Sequence, residues 1–145
     1  MMTILSSEML HATSVAIDGH VVLIQGVSGI GKSDLALRLI DRGAVLVSDD
    51  RTLVVRQGTA LLARAPDTIR GRIEVRGLGI VSLPQVDDLP VALVVHLGGE
   101  PDRMPERRQR LLAGIAVREL SFDAHHASTP LKIEWAVRQP GATPA

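Results

Sequence analysis

The stretch Gly26-Val27-Ser28-Gly29-Ile30-Gly31-Lys32-Ser33 constrains this chain more than any other segment. It fits G-x-x-x-x-G-K-[ST] at every fixed position. Such a loop belongs between a strand and a helix. Its glycines let the backbone curl so that successive N–H groups point at an anion, and the following helix adds free N–H groups and a positive dipole end. The flanks agree with that demand. Residues 21–25 have an apolar strand pattern, and a helix is expected from Lys32 or Ser33 to about Arg42. Leu35, Leu37, Leu39 and Ile40 supply the helix's apolar content, and Gly43 fits as its terminator. In this motif Lys32 reaches the β- and γ-phosphates of a nucleotide, and the Ser33 hydroxyl ligates Mg²⁺. Lysine is scarce here: Lys32 and Lys132 are the two lysines among sixteen basic residues.

A hairpin leads into the loop. Residues 13–17 and 21–25 are β-rich runs joined by Asp18-Gly19, a pair suited to the positive φ of a two-residue turn. The turn fixes the register by pairing Ile17 with His20. Continued outward, that register sets His11 opposite Gly26, at the mouth of the loop. There His11 can bond a phosphate or act on a neighbouring carboxylate. A short buried strand over 44–47 then ends in Ser48-Asp49-Asp50. One of these acids can face a metal and the other an acceptor substrate, because adjacent residues of an extended segment point to opposite faces. Glu74, in an apolar strand context, is an awkward acid to bury, which favours a metal partner.

The remaining chain reads as strands with few helices. A second hairpin is expected over 52–55 and 59–62, one helical turn over 65–70, and a strand entering a Gly-rich bend over 73–80. Further on come a buried strand over 91–97, a loop over 98–104, a helix over 105–113, and strands over 115–120 and 131–137. Arg107-Arg108-Gln109-Arg110 is then either a solvated helix face or a docking surface for an acidic partner. His125 and His126 are adjacent, poorly placed for shared metal ligation on a strand, and take no role. Hairpins mixed with one strand-loop-helix unit point to an α/β fold with a mixed sheet. One domain is expected over 1–138, with a flexible tail over 139–145.

Composition removes several alternatives. At 145 residues the chain fits one domain, and 46% apolar residues can build a real core. The absence of cysteine removes disulfide scaffolds and thiol catalysis. Zero formal net charge, one Phe, one Trp and no Tyr argue against nucleic-acid binding by phosphate neutralisation or base stacking. No signal peptide or membrane-spanning run is visible, so a soluble cytoplasmic protein is expected.

Taken together, His11, the loop 26–33, Leu39-Ile40-Asp41-Arg42-Gly43, Val47-Ser48-Asp49-Asp50 and Ile73-Glu74-Val75-Arg76-Gly77-Leu78-Gly79-Ile80 resemble the HPr kinase/phosphorylase family. The last segment, close to that family's signature, is the most diagnostic. The resemblance runs from about His11 to Val81 and continues more weakly to Arg103. It implies a P-loop-containing mixed sheet similar to the phosphoenolpyruvate carboxykinase-like nucleotide-binding fold. It implies transfer of the γ-phosphoryl of ATP, with Mg²⁺, to a serine of HPr, a phosphocarrier of the sugar phosphotransferase system. Hexamers are usual in the family. By position, His11 matches the active-site histidine, Lys32 the loop lysine, and Asp50 the carboxylate that takes the serine proton. Ser33 and Glu74 match magnesium ligands, Asp49 sits where a metal-shell acid belongs, and Arg103 is the best match for the active-site arginine.

The chain departs from the family pattern in three places. It opens almost at the catalytic domain, so a short form without the N-terminal domain is expected. The Pro- and Arg-rich segment tied to dephosphorylation is replaced by Ala127-Ser128-Thr129-Pro130-Leu131-Lys132. The C-terminal helices linked to docking and subunit communication are expected to be shortened or absent. Two other readings stand beside the kinase: a nucleotide-binding sensor without turnover, and a small-molecule kinase on a carboxykinase-like scaffold.

Overall fold

The computed structural model describes residues 6–98 and 108–140. The chain begins with β1 (Ser7–Leu10), β2 (Thr13–Ile17) and β3 (His20–Gln25), then α1 (Lys32–Asp41) and β4 (Val45–Ser48). The hairpin β5 (Thr52–Gln57) and β6 (Ala60–Arg64) follows, then a 3-10 turn at Asp67–Ile69 and the small hairpin β7 (Arg72–Val75) and β8 (Gly79–Ser82). The long strand β9 (Leu89–Leu97), the pair β10 (Arg108–Leu112) and β11 (Ile115–Phe122), and α2 (Thr129–Arg138) complete it.

The first hairpin has the register its turn demands. Asp18 and Gly19 sit at φ 50° and 79°, and pairing runs from Ile17↔His20 to Thr13↔Ile24. Among the described residues nine strands join one mixed sheet, with β1-β5-β6-β9-β3-β2-β4 as its main path and β11 on β9. Strand β9 runs parallel to both β3 and β11, while the other pairings in this sheet are antiparallel. Strands β7 and β8 stand apart as a two-stranded sheet.

Alternation along β3 divides the core. Val22 and Ile24 join Leu35, Ala36 and Leu39 of α1 and Ile133 of α2 in one apolar layer. Val21 and Leu23 face the other way, against Val54, Leu61, Leu112 and Val117. A strand buried on both faces needs cover on both. The helices cover one face, and the sheet curls its own outer strands over the other. Arg42 ties the helices together, its Nε donating to the buried Glu134 Oε1 at 2.8 Å. No helix among the described residues is long and apolar enough to cross a membrane.

Two expected elements are corrected. Residues 131–137 are the body of α2, not a strand. Leu131, Ile133, Trp135 and Val137 alternate, but Thr129, Pro130, Ile133 and Glu134 are the buried positions, a helical spacing with proline in the first turn. Residues 108–112, expected in a helix, form β10. Ala113 and Gly114, at φ 47° and 82°, turn the chain from Leu112 to its partner Ile115, so the glycine closes a hairpin rather than a helix. Arg108 and Arg110 therefore ride on a strand, and Arg110 donates to Gln25 Oε1. Residues 99–107, and with them Arg103, Arg107 and most of the expected 98–104 loop, lie outside the described residues.

Candidate active site

The loop 26–33 turns tightly from β3 into α1. A Cβ at Gly26 would lie 2.7 Å from Ile30 Cγ2 and 3.0 Å from the Leu97 carbonyl oxygen, so no side chain fits there. Gly31 is the N-cap of α1 at φ 111°, a conformation suited to glycine. No side chain caps the helix, so its first N–H groups remain available to an anion. Lys32 is buried, and its ammonium donates to the carbonyls of Gly26 (2.9 Å) and Val27 (3.2 Å). The side chain is thus folded back along the loop it would serve.

Beside the loop lies a cleft of about 490 Å³. Ser28, Gly29, Gly31, Lys32 and Ser33 line one wall, and Asp49, Asp50 and Glu74 another. Gly26 and Ile30 pack beneath the loop, and Val27 is an exposed residue outside this lining.

The two aspartates take different protein partners, and strand alternation is not what separates them. Asp50 sits at φ 64°, so a left-handed turn, not strand alternation, separates them. Asp49 Oδ1 accepts from Ser33 Oγ (2.6 Å) and Thr13 Oγ1 (3.1 Å), and Asp49 Oδ2 accepts from the Glu74 backbone N–H (3.0 Å). One carboxylate therefore fastens the helix start, β2 and β7 together. Asp50 turns the other way, with Oδ1 2.7 Å from His11 Nε2. Its backbone N–H donates to Thr13 Oγ1 at 3.1 Å. The register that set His11 opposite Gly26 ends at Thr13↔Ile24, and the His11 ring meets Asp50 instead of lining the cleft.

Glu74 is corrected as a buried acid: it is exposed on β7 and faces the cleft. Among the described residues no three His, Cys, Asp or Glu side chains form a metal cluster. The oxygens of Ser33, Asp49 and Glu74 are nevertheless hard donors on one cleft. They suit Mg²⁺, which keeps several waters and is held by one or two carboxylates plus substrate phosphates.

Three positions escaped the sequence reading. Thr13, fully buried, orients both aspartates; its only signal was a hydroxyl opening an apolar strand. Arg76 lines the cleft from the β7–β8 hairpin. His125 lines it from the turn before α2, which the expected strand did not foresee. Asp123 builds that turn: its Oδ1 accepts the His125 N–H at 2.7 Å. The same bond holds the Asp123 carboxyl below its ordinary pKa, opposed in part by desolvation and aided to a smaller extent by nearby His126 and His125.

Residues 3–87 match the family described as HPr Serine kinase C-terminal domain. The chain is similar to the HPr kinase/phosphorylase of Mycoplasmopsis pulmonis, 43% identical over 83 residues, covering 57% of this chain and 27% of that protein. With the enzyme of the same name from Clostridium acetobutylicum it is 42% identical over 126 residues, covering 78% of this chain and 41% of the relative. The chain thus spans well under half the length of these curated relatives. The solved Hpr(Ser) kinase/phosphatase from Coxiella burnetii superposes with a TM-score of 0.79 at 34% identity, over 92% of this chain and 95% of that one. With the family model covering more than half of its residues and a solved relative matching nearly end to end, this chain belongs to the HPr serine kinase C-terminal-domain family.

Proposed function

We propose that this protein is an ATP-dependent kinase that phosphorylates a serine of an HPr-type phosphocarrier, on a carboxykinase-like P-loop fold in the cytoplasm. The observation that carries the reading is the placing of Asp50, held by His11, on the same cleft as Lys32 and the loop glycines. The loop amides and Lys32 hold the phosphates. Asp50 accepts the proton of the serine hydroxyl while the serine oxygen attacks the γ-phosphorus. The bond from that phosphorus to the β,γ-bridging oxygen breaks, and ADP leaves with the electron pair. Ser33 and Glu74, with Asp49 behind Ser33, would hold Mg²⁺, which when bound offsets charge on the β- and γ-oxygens. Thr13 holds the Asp49 side chain and the Asp50 backbone N–H, so that the proton acceptor and the metal-side acid do not exchange roles.

Incubation of the full chain with γ-labelled ATP, Mg²⁺ and HPr from the same host tests this. Label on a serine of HPr, lost in Lys32→Ala, supports the kinase. ATP binding without any labelled HPr overturns it in favour of a nucleotide sensor, and turnover of a metabolite without protein substrate favours the small-molecule kinase.

A further inference from the structure

We infer that His125 is the nucleoside-binding residue of the cleft, its imidazole lying against the purine of the bound nucleotide. This rests on the reading of the cleft as a nucleotide site. The position follows from the two sides of the loop. Ser33 turns toward Asp49, and Asp50 and Glu74 lie on that side, where the transferred phosphoryl must go. Gly31, the N-cap of α1, lies two residues before Ser33. A Cβ on Gly31 would meet His125 Cε1 at 3.7 Å and Ala124 Cβ at 3.6 Å. His125 thus flanks the loop at Gly31, whereas Ser33 makes its contact with Asp49. A nucleotide whose phosphates occupy the loop, with its terminal phosphorus toward Asp50, sends its nucleoside out on the His125 side.

The turn that carries His125 is firmly held while its ring is exposed. Arg38 of α1 donates to the carbonyls of Ala124 and His126, Asp123 takes the His125 N–H, and Thr129 Oγ1 donates to the Asp123 carbonyl at 2.5 Å. Ala124 is buried. Among the described residues the ring of His125 takes no hydrogen bond and no ion pair. A fixed backbone presenting a free ring to a cleft is a binding arrangement, because little ordering remains to oppose contact. Composition narrows the choice further. Phe122 packs on the core and Trp135 is exposed on α2, so among the described residues His125 is the one aromatic ring lining the cleft. Leu37 adds an apolar side chain to the cleft lining.

Calorimetric titration of the full chain with Mg-ATP and, separately, with Mg-tripolyphosphate tests the assignment. His125→Ala is expected to bind ATP about tenfold more weakly, the scale of losing one stacked ring, and tripolyphosphate as the parent does. His125→Phe, which keeps a ring without its nitrogens, is expected to restore ATP affinity. Unchanged ATP affinity in His125→Ala, or an equal loss for both ligands, overturns the assignment. A parent chain that binds neither ligand, or a Lys32→Ala variant that binds both as well as the parent, overturns the nucleotide site itself and this inference with it.

Discussion

His11 Nε2 meets Asp50 Oδ1 at 2.7 Å, joining residues 39 positions apart. Both side chains are more than half exposed, at 54% and 62%. A pair so open to water adds little to stability. Its effect is on direction: one carboxylate oxygen is engaged by the ring, and the group is held at the cleft wall. Replacing His11 by Ala should therefore leave the melting temperature nearly unchanged and lower the phosphotransfer rate about tenfold or more, within the range of acid–base assistance. Circular dichroism melting beside a rate measurement at saturating ATP checks both halves.

Gly26→Ala is expected to fail in the opposite way. The added methyl meets the Leu97 carbonyl at 3.0 Å, and backbone in a buried strand cannot step aside as a side-chain tip can. Overpacking of this kind costs about 1–3 kcal/mol. The variant should melt earlier in a denaturant titration and lose ATP affinity together with stability.

Thr13→Val keeps the side chain's shape and removes its hydroxyl. Asp49 Oδ1 then loses a donor and the Asp50 N–H loses its acceptor, both beside a fully buried position. The expected cost is about 1–3 kcal/mol of stability. Because the loop glycines and Lys32 are untouched, phosphotransfer should fall more than ATP affinity. Chemical denaturation and paired kcat and Kd values read this out.

Asp123 gives a pH prediction. Its folded carboxyl titrates below its ordinary 3.8, chiefly because the His125 N–H bonds the charged form. A depressed acid contributes stability that is complete above the ordinary value and is lost as pH falls through the folded one. The melting-temperature gap between the parent and Asp123→Asn should be constant at neutral pH and shrink below about pH 3.8.

What could be read from sequence was local chemistry with a fixed geometry. The Asp18-Gly19 turn allows one register, and Thr13↔Ile24 follows from it by counting. The loop 26–33 dictates a strand before and a helix after, and α1 starts at Lys32. What escaped depended on tertiary context. The 131–137 alternation imitates a strand, and only the burial of Ile133 and Glu134 against α1 and the sheet makes it a helix. Residues 105–113 read as a helix because Ala113-Gly114 is a weaker turn signal than Asp-Gly, although both adopt positive φ. Of the site, Lys32, Ser33, Asp49, Asp50 and Glu74 were legible and share one cleft. Thr13 and His125 were not, since nothing along the chain shows that β2 passes under the aspartates or that the turn before α2 folds back onto Gly31.

The proposed mechanism turns on Asp50 receiving the serine proton. The most direct measurement is phosphoserine formation on HPr by Asp50→Asn under single-turnover conditions, with ATP affinity measured on the same preparation. A rate about 10²–10⁴-fold lower with ATP binding essentially intact is expected, because asparagine keeps the shape and cannot take the proton. A variant that phosphorylates HPr at the parent's rate would contradict it.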